Sequence, residues 1–202
     1  MMLSKLLYIL IFSPIFSLSG CSDNGSDIEV IDSSNTMKEF AQNLQANRIL
    51  TKRILDTTAD EKLEDKIIAN ISSKQDPYLS NDKDILQTLS KERQAIYYIY
   101  LFEMEINNGG FDQFYLNKFV NSDDSSMFDK TTGAFKLIGA TKFADLVKRA
   151  NQIYRANEKD FADKEGLFDE LDQEFYGTYK QENLFDLRTK FIRANIDAFV
   201  DK

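Results

Sequence analysis

The sequence predicts an all-α protein, folded as a single irregular multi-helix bundle of seven to nine helices. Apolar residues recur at spacings of three and four along most of the chain, which is the pattern of an amphipathic helix. No stretch alternates between apolar and polar residues for long enough to indicate a strand. Together the two observations favour a helical bundle over any fold that contains a sheet.

The first twenty residues predict an export signal. Lys5 supplies the basic start, and an apolar run from Leu6 to Phe16 follows. That run is shorter than the roughly 20 residues that a membrane-spanning helix needs, so we expect a signal that is cleaved. Two interpretations of this signal are open. One is an ordinary secretory signal with a chance cysteine, and the other is a lipoprotein signal.

The end of the signal, Leu18-Ser19-Gly20-Cys21, resembles the bacterial lipobox, in which the cysteine is acylated and the chain is cut before it. Cys21 is the only cysteine, and a lone cysteine in an exported protein otherwise needs an explanation. Residues 21–36 are predicted to be a polar tether, and residues 37–202 an acidic helical domain. Ser22 after the cysteine favours an outer-membrane lipoprotein that faces the periplasm.

Two helices are predicted at the start of the domain, each with one apolar face. The first is expected to carry Met37, Phe40, Ala41 and Leu44, and the second Leu63, Ile67, Ile68 and Ile71. Asp76-Pro77 marks a turn between this second helix and the next elements.

A central helix is then predicted, with Ser90 as its N-cap. Its two apolar faces comprise Tyr97, Tyr100, Leu101 and Met104, and Ile96, Ile99 and Ile106. A helix that is apolar on two faces is usually packed by neighbours on several sides. We expect it to end at Gly109-Gly110, where at least one glycine takes a positive φ, and an aromatic helix to follow, with Phe111, Phe114, Tyr115 and Phe119.

The double glycine and its polar neighbours form the first candidate site. This candidate polar loop or pocket comprises Glu103, Glu105, Asn107, Asn108, Gly109, Gly110 and Asp112. One interpretation is a carboxylate- or metal-dependent hydrolase built on Glu103, Glu105 and Asp112. The favoured interpretation is that these side chains satisfy the amides of an interrupted helix, with the amides of 107–110 compensating Glu103. No metal site is predicted.

Three further helices are expected after this loop. One ends at Gly139, the next is capped by Thr141, and a third contains Phe168, Leu171 and Phe175 and ends at Gly177. The last helix presents the apolar residues Leu184, Leu187, Phe191 and Ile192.

The composition argues against an enzyme. The chain has no histidine, which removes the commonest general base and metal ligand, and its one cysteine is assigned to lipid. No glycine-rich phosphate loop is present, and no cofactor is predicted.

The strongest charge feature lies between residues 157 and 175, where eight acidic residues face only Lys159 and Lys164. Asp169, Glu170, Asp172 and Glu174 are predicted to point outward from a helix. They form the second candidate site, an acidic docking face for a basic partner protein; the alternative is a solvated surface. With a formal net charge of −8 the chain is a poor candidate for direct nucleic-acid binding.

The run from Glu103 to Asn117, Glu-Met-Glu-Ile-Asn-Asn-Gly-Gly-Phe-Asp-Gln-Phe-Tyr-Leu-Asn, resembles the bacterial DNA-mimic protein family. The resemblance continues at 137–140, at Ala150 and at 168–176, and it covers roughly residues 85–199. It implies an acidic helical domain that imitates DNA towards a DNA-binding regulator. Such regulators are cytoplasmic, so in a lipoprotein we expect docking on, or immunity-type inhibition of, another basic protein.

Overall fold

The computed structural model describes residues 45–74, 82–121, 126–161 and 164–201, together with Lys38 and Gln42. These residues belong to a compact unit that spans Met37–Lys202. The lipobox, the tether, the apolar face predicted for residues 37–44, the Asp76-Pro77 turn and the side chain of Phe119 lie outside the described residues.

The described part of the chain is all-α, as predicted, and contains no strand. Its α helices are α1 (Lys52–Thr57), α2 (Asp60–Lys74), α3 (Asp82–Thr88), α4 (Lys91–Asn121), α5 (Ser126–Leu137), α6 (Thr141–Asn157), α7 (Asp169–Thr178) and α8 (Leu184–Ala194), followed by a 3-10 turn at Ile196–Phe199. Helix α4 is the centre of the bundle, because α2, α5, α7 and the 3-10 turn all pack against it.

Helix α4 begins as the sequence predicts and continues further than predicted. The Ser90 hydroxyl accepts the Arg93 amide hydrogen at 3.2 Å, which is an N-cap bond. The helix does not end at the double glycine: it passes through Gly109 and Gly110 and ends at Asn121. The prediction of two helices is therefore wrong, because one residue in an unusual conformation distorts the helix without terminating it.

An aromatic cluster fills the core between α4, α5, α6 and α7. Phe102, Phe111, Phe114 and Tyr115 of α4 are completely buried. Phe102 makes edge contacts with Phe114 at 5.0 Å and with Phe135 of α5 at 5.4 Å, measured between ring centroids. Aromatic pairs in this geometry stabilise a core beyond their area burial.

The junction between α5 and α6 is set by Gly139, as predicted. Gly139 has a φ of 84°, its amide donates to the Lys136 carbonyl, and the Ala140 amide donates to the Phe135 carbonyl. This pair of bonds is a Schellman motif that closes the helix. Thr141 is not the cap of α6, which corrects the prediction: the Glu182 carboxylate accepts the amides of Lys142 and Phe143 instead.

The C-terminal segment fastens the two ends of the domain together. The Leu50 amide donates to the Asp201 carboxylate at 2.7 Å, and the Leu50 carbonyl accepts the Asp201 amide hydrogen at 2.8 Å. The same carboxylate accepts hydrogen bonds from Arg93 at 2.7 Å, from Asn70 at 2.9 Å and from Lys74. We call these residues, Leu50, Asn70, Lys74, Arg93 and Asp201, the C-terminal clasp.

Candidate functional site

Gly110 is the point at which α4 departs from regular geometry. Its φ is 71°, in the left-handed region that side chains with a Cβ disfavour, which confirms the predicted positive φ at the double glycine. In a regular helix the Phe111 amide would donate to the Asn107 carbonyl. Here it donates to Asp172 Oδ1 of α7 at 2.9 Å. The distortion thus allows one helix to bind the side chain of another.

Gly110 also leaves room for that side chain. A Cβ built on Gly110 would lie 2.8 Å from Asp172 Cγ, which is closer than a real Cβ contact allows. Both the backbone conformation and the space therefore require glycine at this position.

Gly109 has a different role, which involves the buried Glu105. The Glu105 side chain is 2% exposed, and its Oε2 accepts hydrogen bonds from Gln113 Nε2 at 2.8 Å and Asn117 Nδ2 at 2.7 Å. Gln113 passes so close to Gly109 that an added Cβ would be 3.0 Å from its Cβ. The bridge from Glu105 to Gln113 and Asn117 therefore spans the distorted turn and ties its two halves together.

The first turn of α7 lies against this distorted turn. Asp172 is half-buried there, so its prediction as an outward-facing residue is wrong: its carboxylate is used to bind the Phe111 amide. Tyr176 lies one turn further along α7 and its hydroxyl makes a long contact of 3.5 Å with the Ile106 carbonyl, while the residue remains 52% exposed. Asn107 and Asn108 are also exposed. The two candidate sites of the sequence analysis therefore meet at one surface.

Three carboxylates concentrate negative charge at this surface. Burial raises the pKa of Asp112, and the nearby Asp169 carboxylate raises it further. Burial also raises the pKa of Asp172; the Phe111 amide opposes this effect, and Asp112 and Asp169 add to it. Asp112 Oδ1 has no hydrogen-bond partner within the described residues. We call Asp112, Asp169 and Asp172 the acidic junction of α4 and α7.

The remaining residues of the predicted docking face differ in their environment. Asp169, Glu170 and Glu174 are exposed. Glu174 forms an ion pair with Arg149 of α6, whereas Asp169 and Glu170 form no ion pair with any described residue. Because Asp169 and Glu170 lie in the first turn of α7, the helix dipole stabilises their negative charge.

Glu103 does not belong to this surface, which corrects its place in the candidate pocket. Its carboxylate accepts hydrogen bonds from Arg188 Nη1 of α8 and from the Tyr179 hydroxyl, and not from the amides of 107–110. Arg188 Nη1 also donates to Glu64 Oε1 of α2 at 2.9 Å. All seven residues of the candidate pocket lie within α4, so they belong to one continuous helix and not to a loop.

Glu103 and Glu105 thus engage different sets of partners, whereas Asp112 lies with Asp169 and Asp172 in the acidic junction. No group of three or more acidic, histidine or cysteine side chains is arranged to hold a metal ion within the described ranges. Glu103, Glu105 and Asp112 therefore form no such group.

Four residues that contact the predicted ones were not predicted from the sequence: Gln113, Asn117, Arg188 and Arg149. Gln113 and Asn117 follow Glu105 at spacings of eight and twelve, which is one face of a continuous helix, but the assumed break at the glycines hid this signal. Arg188 lies between Leu187 and Phe191 on a largely apolar helix face, and an inward cation could have been inferred from that position. Nothing in the sequence indicates that Arg149 pairs with Glu174.

None of the described helices is both long enough and apolar enough to cross a membrane. Comparisons with curated proteins and with solved structures found no match. A comparison with protein families matches residues 87–195 to the family described as DMP19-like protein. The matched residues run from the end of α3 to the end of α8 and include Gly110, Glu105 and the acidic junction. They cover more than half of the chain and confirm the resemblance to the DNA-mimic family, so this acidic helical chain belongs to the DMP19-like protein family.

Proposed function

We propose that this chain is a non-enzymatic docking module that uses its acidic surface to occupy a basic surface of a partner protein in the cell envelope. The observation that carries the proposal is the first turn of α7. It presents Asp169 and Glu170 to solvent without a cationic partner among the described residues, next to the carboxylates of Asp112 and Asp172.

The density of charge on α7 supports this role. Asp169, Glu170, Asp172 and Glu174 lie within six residues, and a helix rises 1.5 Å per residue, so carboxylates recur about every 2 Å along the axis. Duplex DNA carries one charge per about 1.7 Å of its axis. A basic surface that accepts a polyanion would meet carboxylates at a similar axial spacing here. The exposed Tyr176 beside the carboxylates adds an aromatic contact of the kind that anchors interfaces.

The test is capture of partners from envelope extract at low and high salt. The face variant carries Asp169→Asn, Glu170→Gln and Glu174→Gln, and it leaves Asp172 in place because Asp172 binds the Phe111 amide. The control variant carries Asp56→Asn, Glu61→Gln and Asp186→Asn, which neutralise three exposed carboxylates on other helices.

The wild type and the control should both capture a basic protein, with less captured as salt screens the charges. The face variant should capture little, chiefly because its association is slower. Arg149→Gln should strengthen capture, since it releases Glu174 from its ion pair. Equal capture by the face variant and the wild type would show that the binding surface lies elsewhere.

The envelope location rests on the sequence. We propose that Cys21 is acylated and anchors the domain in the outer membrane, with residues 21–36 as its tether; an immunity-type inhibitor of an incoming basic toxin would suit this location. Cys21→Ser should release the protein from membranes and remove the mass of the lipid. If the variant stays in the membrane fraction and the wild type carries no lipid mass, the protein is not a lipoprotein.

A further inference from the structure

A second buried ionic cluster lies away from the acidic junction. It joins Glu64 of α2, Glu103 of α4, Arg188 of α8 and Tyr179, which follows α7. Arg188 Nη1 donates to both carboxylates, and the Tyr179 hydroxyl donates to Glu103. The side chains of Arg188, Glu103 and Glu64 are only 12%, 14% and 23% exposed. We call Glu64, Glu103 and Arg188 the shared-arginine triad.

The triad has a net charge of −1 when both of its carboxylates are ionised. Two carboxylates that share one guanidinium in a poorly solvated site cannot both be fully compensated, so one of them is expected to hold a proton. The neighbouring groups among the described residues supply no further cation: Asp65 is acidic, and burial raises the pKa of both Tyr100 and Tyr179, so both phenols stay neutral.

The hydrogen bonds decide which carboxyl group takes the proton. Glu103 accepts from two donors, Arg188 and Tyr179. Glu64 accepts from one donor only among the described residues, Arg188 Nη1 at 2.9 Å. The less compensated carboxylate is the easier one to protonate. We propose that the shared-arginine triad takes up a proton at Glu64 as the pH falls, and that this uptake strengthens the packing of α2 on α4 and α8.

The electrostatic environment of Glu64 agrees with the geometry. Burial raises the pKa of Glu64 to about 7, opposed by Arg188 and assisted by Glu103 and Asp65. Because the folded-state pKa exceeds the unfolded value, folding takes up a proton between about pH 4.5 and 7. The stability of the domain should therefore decline as the pH rises through that window. Glu64 precedes the residues matched to the family, so the triad joins a helix outside that region to two helices within it.

The experiment is chemical denaturation of the full-length chain from pH 4.5 to 8.5. The wild-type unfolding constant should rise by up to tenfold per pH unit between about pH 5 and 7, which is the signature of one linked proton. Glu64→Gln should lose most of this slope. Glu61→Gln, an exposed residue on the same helix, should keep the wild-type slope. Parallel curves for the wild type and Glu64→Gln would overturn the proposal.

Two further measurements keep the proposal testable if Glu64→Gln folds poorly. Glu103→Gln removes the other negative charge of the triad, so it should also flatten the pH dependence of the unfolding constant. An unchanged slope would contradict the charge argument. A carbon-13 titration of the carboxyl groups should show one glutamate with a midpoint near neutral pH in the wild type. If every glutamate titrates below about pH 5, the triad holds no proton.

Discussion

Gly110 shows how one residue can determine a helix junction. Its positive φ and the nearby Asp172 carboxylate both exclude a Cβ. Gly110→Ala should reduce the free energy of unfolding by about 1 kcal/mol or more, and Gly110→Val by more, because β-branching crowds the same backbone. Melting temperature and denaturant midpoint measure the effect.

A matched control is Gly133→Ala in α5. Gly133 also lies within a helix, but an added Cβ would meet nothing within 4 Å and its φ is not positive. This substitution should be neutral or stabilising, since alanine is the better helix former. If Gly110→Val melts at the wild-type temperature, Gly110 is not required by the junction.

Two substitutions at Asp172 separate the effect of its charge on stability from the effect of its hydrogen bond. Asp172→Asn keeps an oxygen acceptor for the Phe111 amide and removes the repulsion from Asp112 and Asp169, so it should leave stability nearly unchanged. Asp172→Ala leaves the amide without its partner and should cost about 1–3 kcal/mol. Denaturation of both variants measures the difference. Equal losses would mean that the charge, not the acceptor, holds α7 to α4.

At the scale of the element, α4 is one helix because side chains bridge its distorted turn. Glu105, Gly109, Gln113 and Asn117 lie on one face at intervals of four, and the carboxylate accepts both amide groups across the turn. The bridge compensates for the regular backbone hydrogen bonding that the positive φ of Gly110 disrupts. The double glycine is therefore a point where α4 accommodates α7, and not the end of a helix.

This role of Glu105 can be tested by replacing it with glutamine, which has the same shape and no charge. Glu105→Gln offers one weaker acceptor and adds two donors that face the donors of Gln113 and Asn117. We expect a loss of about 1–3 kcal/mol, because buried polar groups would be left unpaired. Hydrogen exchange at residues 109–117 should quicken more than elsewhere in α4. Glu170→Gln, at an exposed position, is the control and should change neither measurement.

At the scale of the whole molecule, the C-terminal clasp closes the bundle. Burial alone would raise the pKa of Asp201, but hydrogen bonds from Lys74, the Leu50 amide, Arg93 and Asn70 outweigh it and lower the pKa to about 2. The stabilisation is fully present above the unfolded-state pKa near 4 and is lost as the pH falls through about 2. The shift corresponds to about 2 kcal/mol.

Asp201→Asn should therefore destabilise the domain at neutral pH and flatten its acid unfolding between about pH 4 and 2. Asp197→Asn is the matched control, because Asp197 is exposed and its only described ion pair, with Lys52, is at the surface. Chemical denaturation at several pH values measures both. If the two variants behave alike, the clasp contributes nothing beyond an ordinary surface ion pair.

The sequence by itself determined the all-α class, the central position of α4, the turn at Gly139 and a positive φ at Gly109 or Gly110. These features depend on local chemistry: helical periodicity, capping and backbone conformation are encoded within a few neighbouring residues. Family membership was also visible locally, in the run from Glu103 to Asn117.

Only the tertiary structure decided which polar residues meet. Asp172 was predicted to face solvent and instead binds the Phe111 amide, 61 residues away in sequence. Glu103 was expected to bind neighbouring amides and instead shares Arg188 with Glu64. Periodicity assigns a residue to a helix face but not to a partner, because the partner depends on how distant helices pack. A buried charge is compensated by whichever group the fold brings within hydrogen-bonding distance.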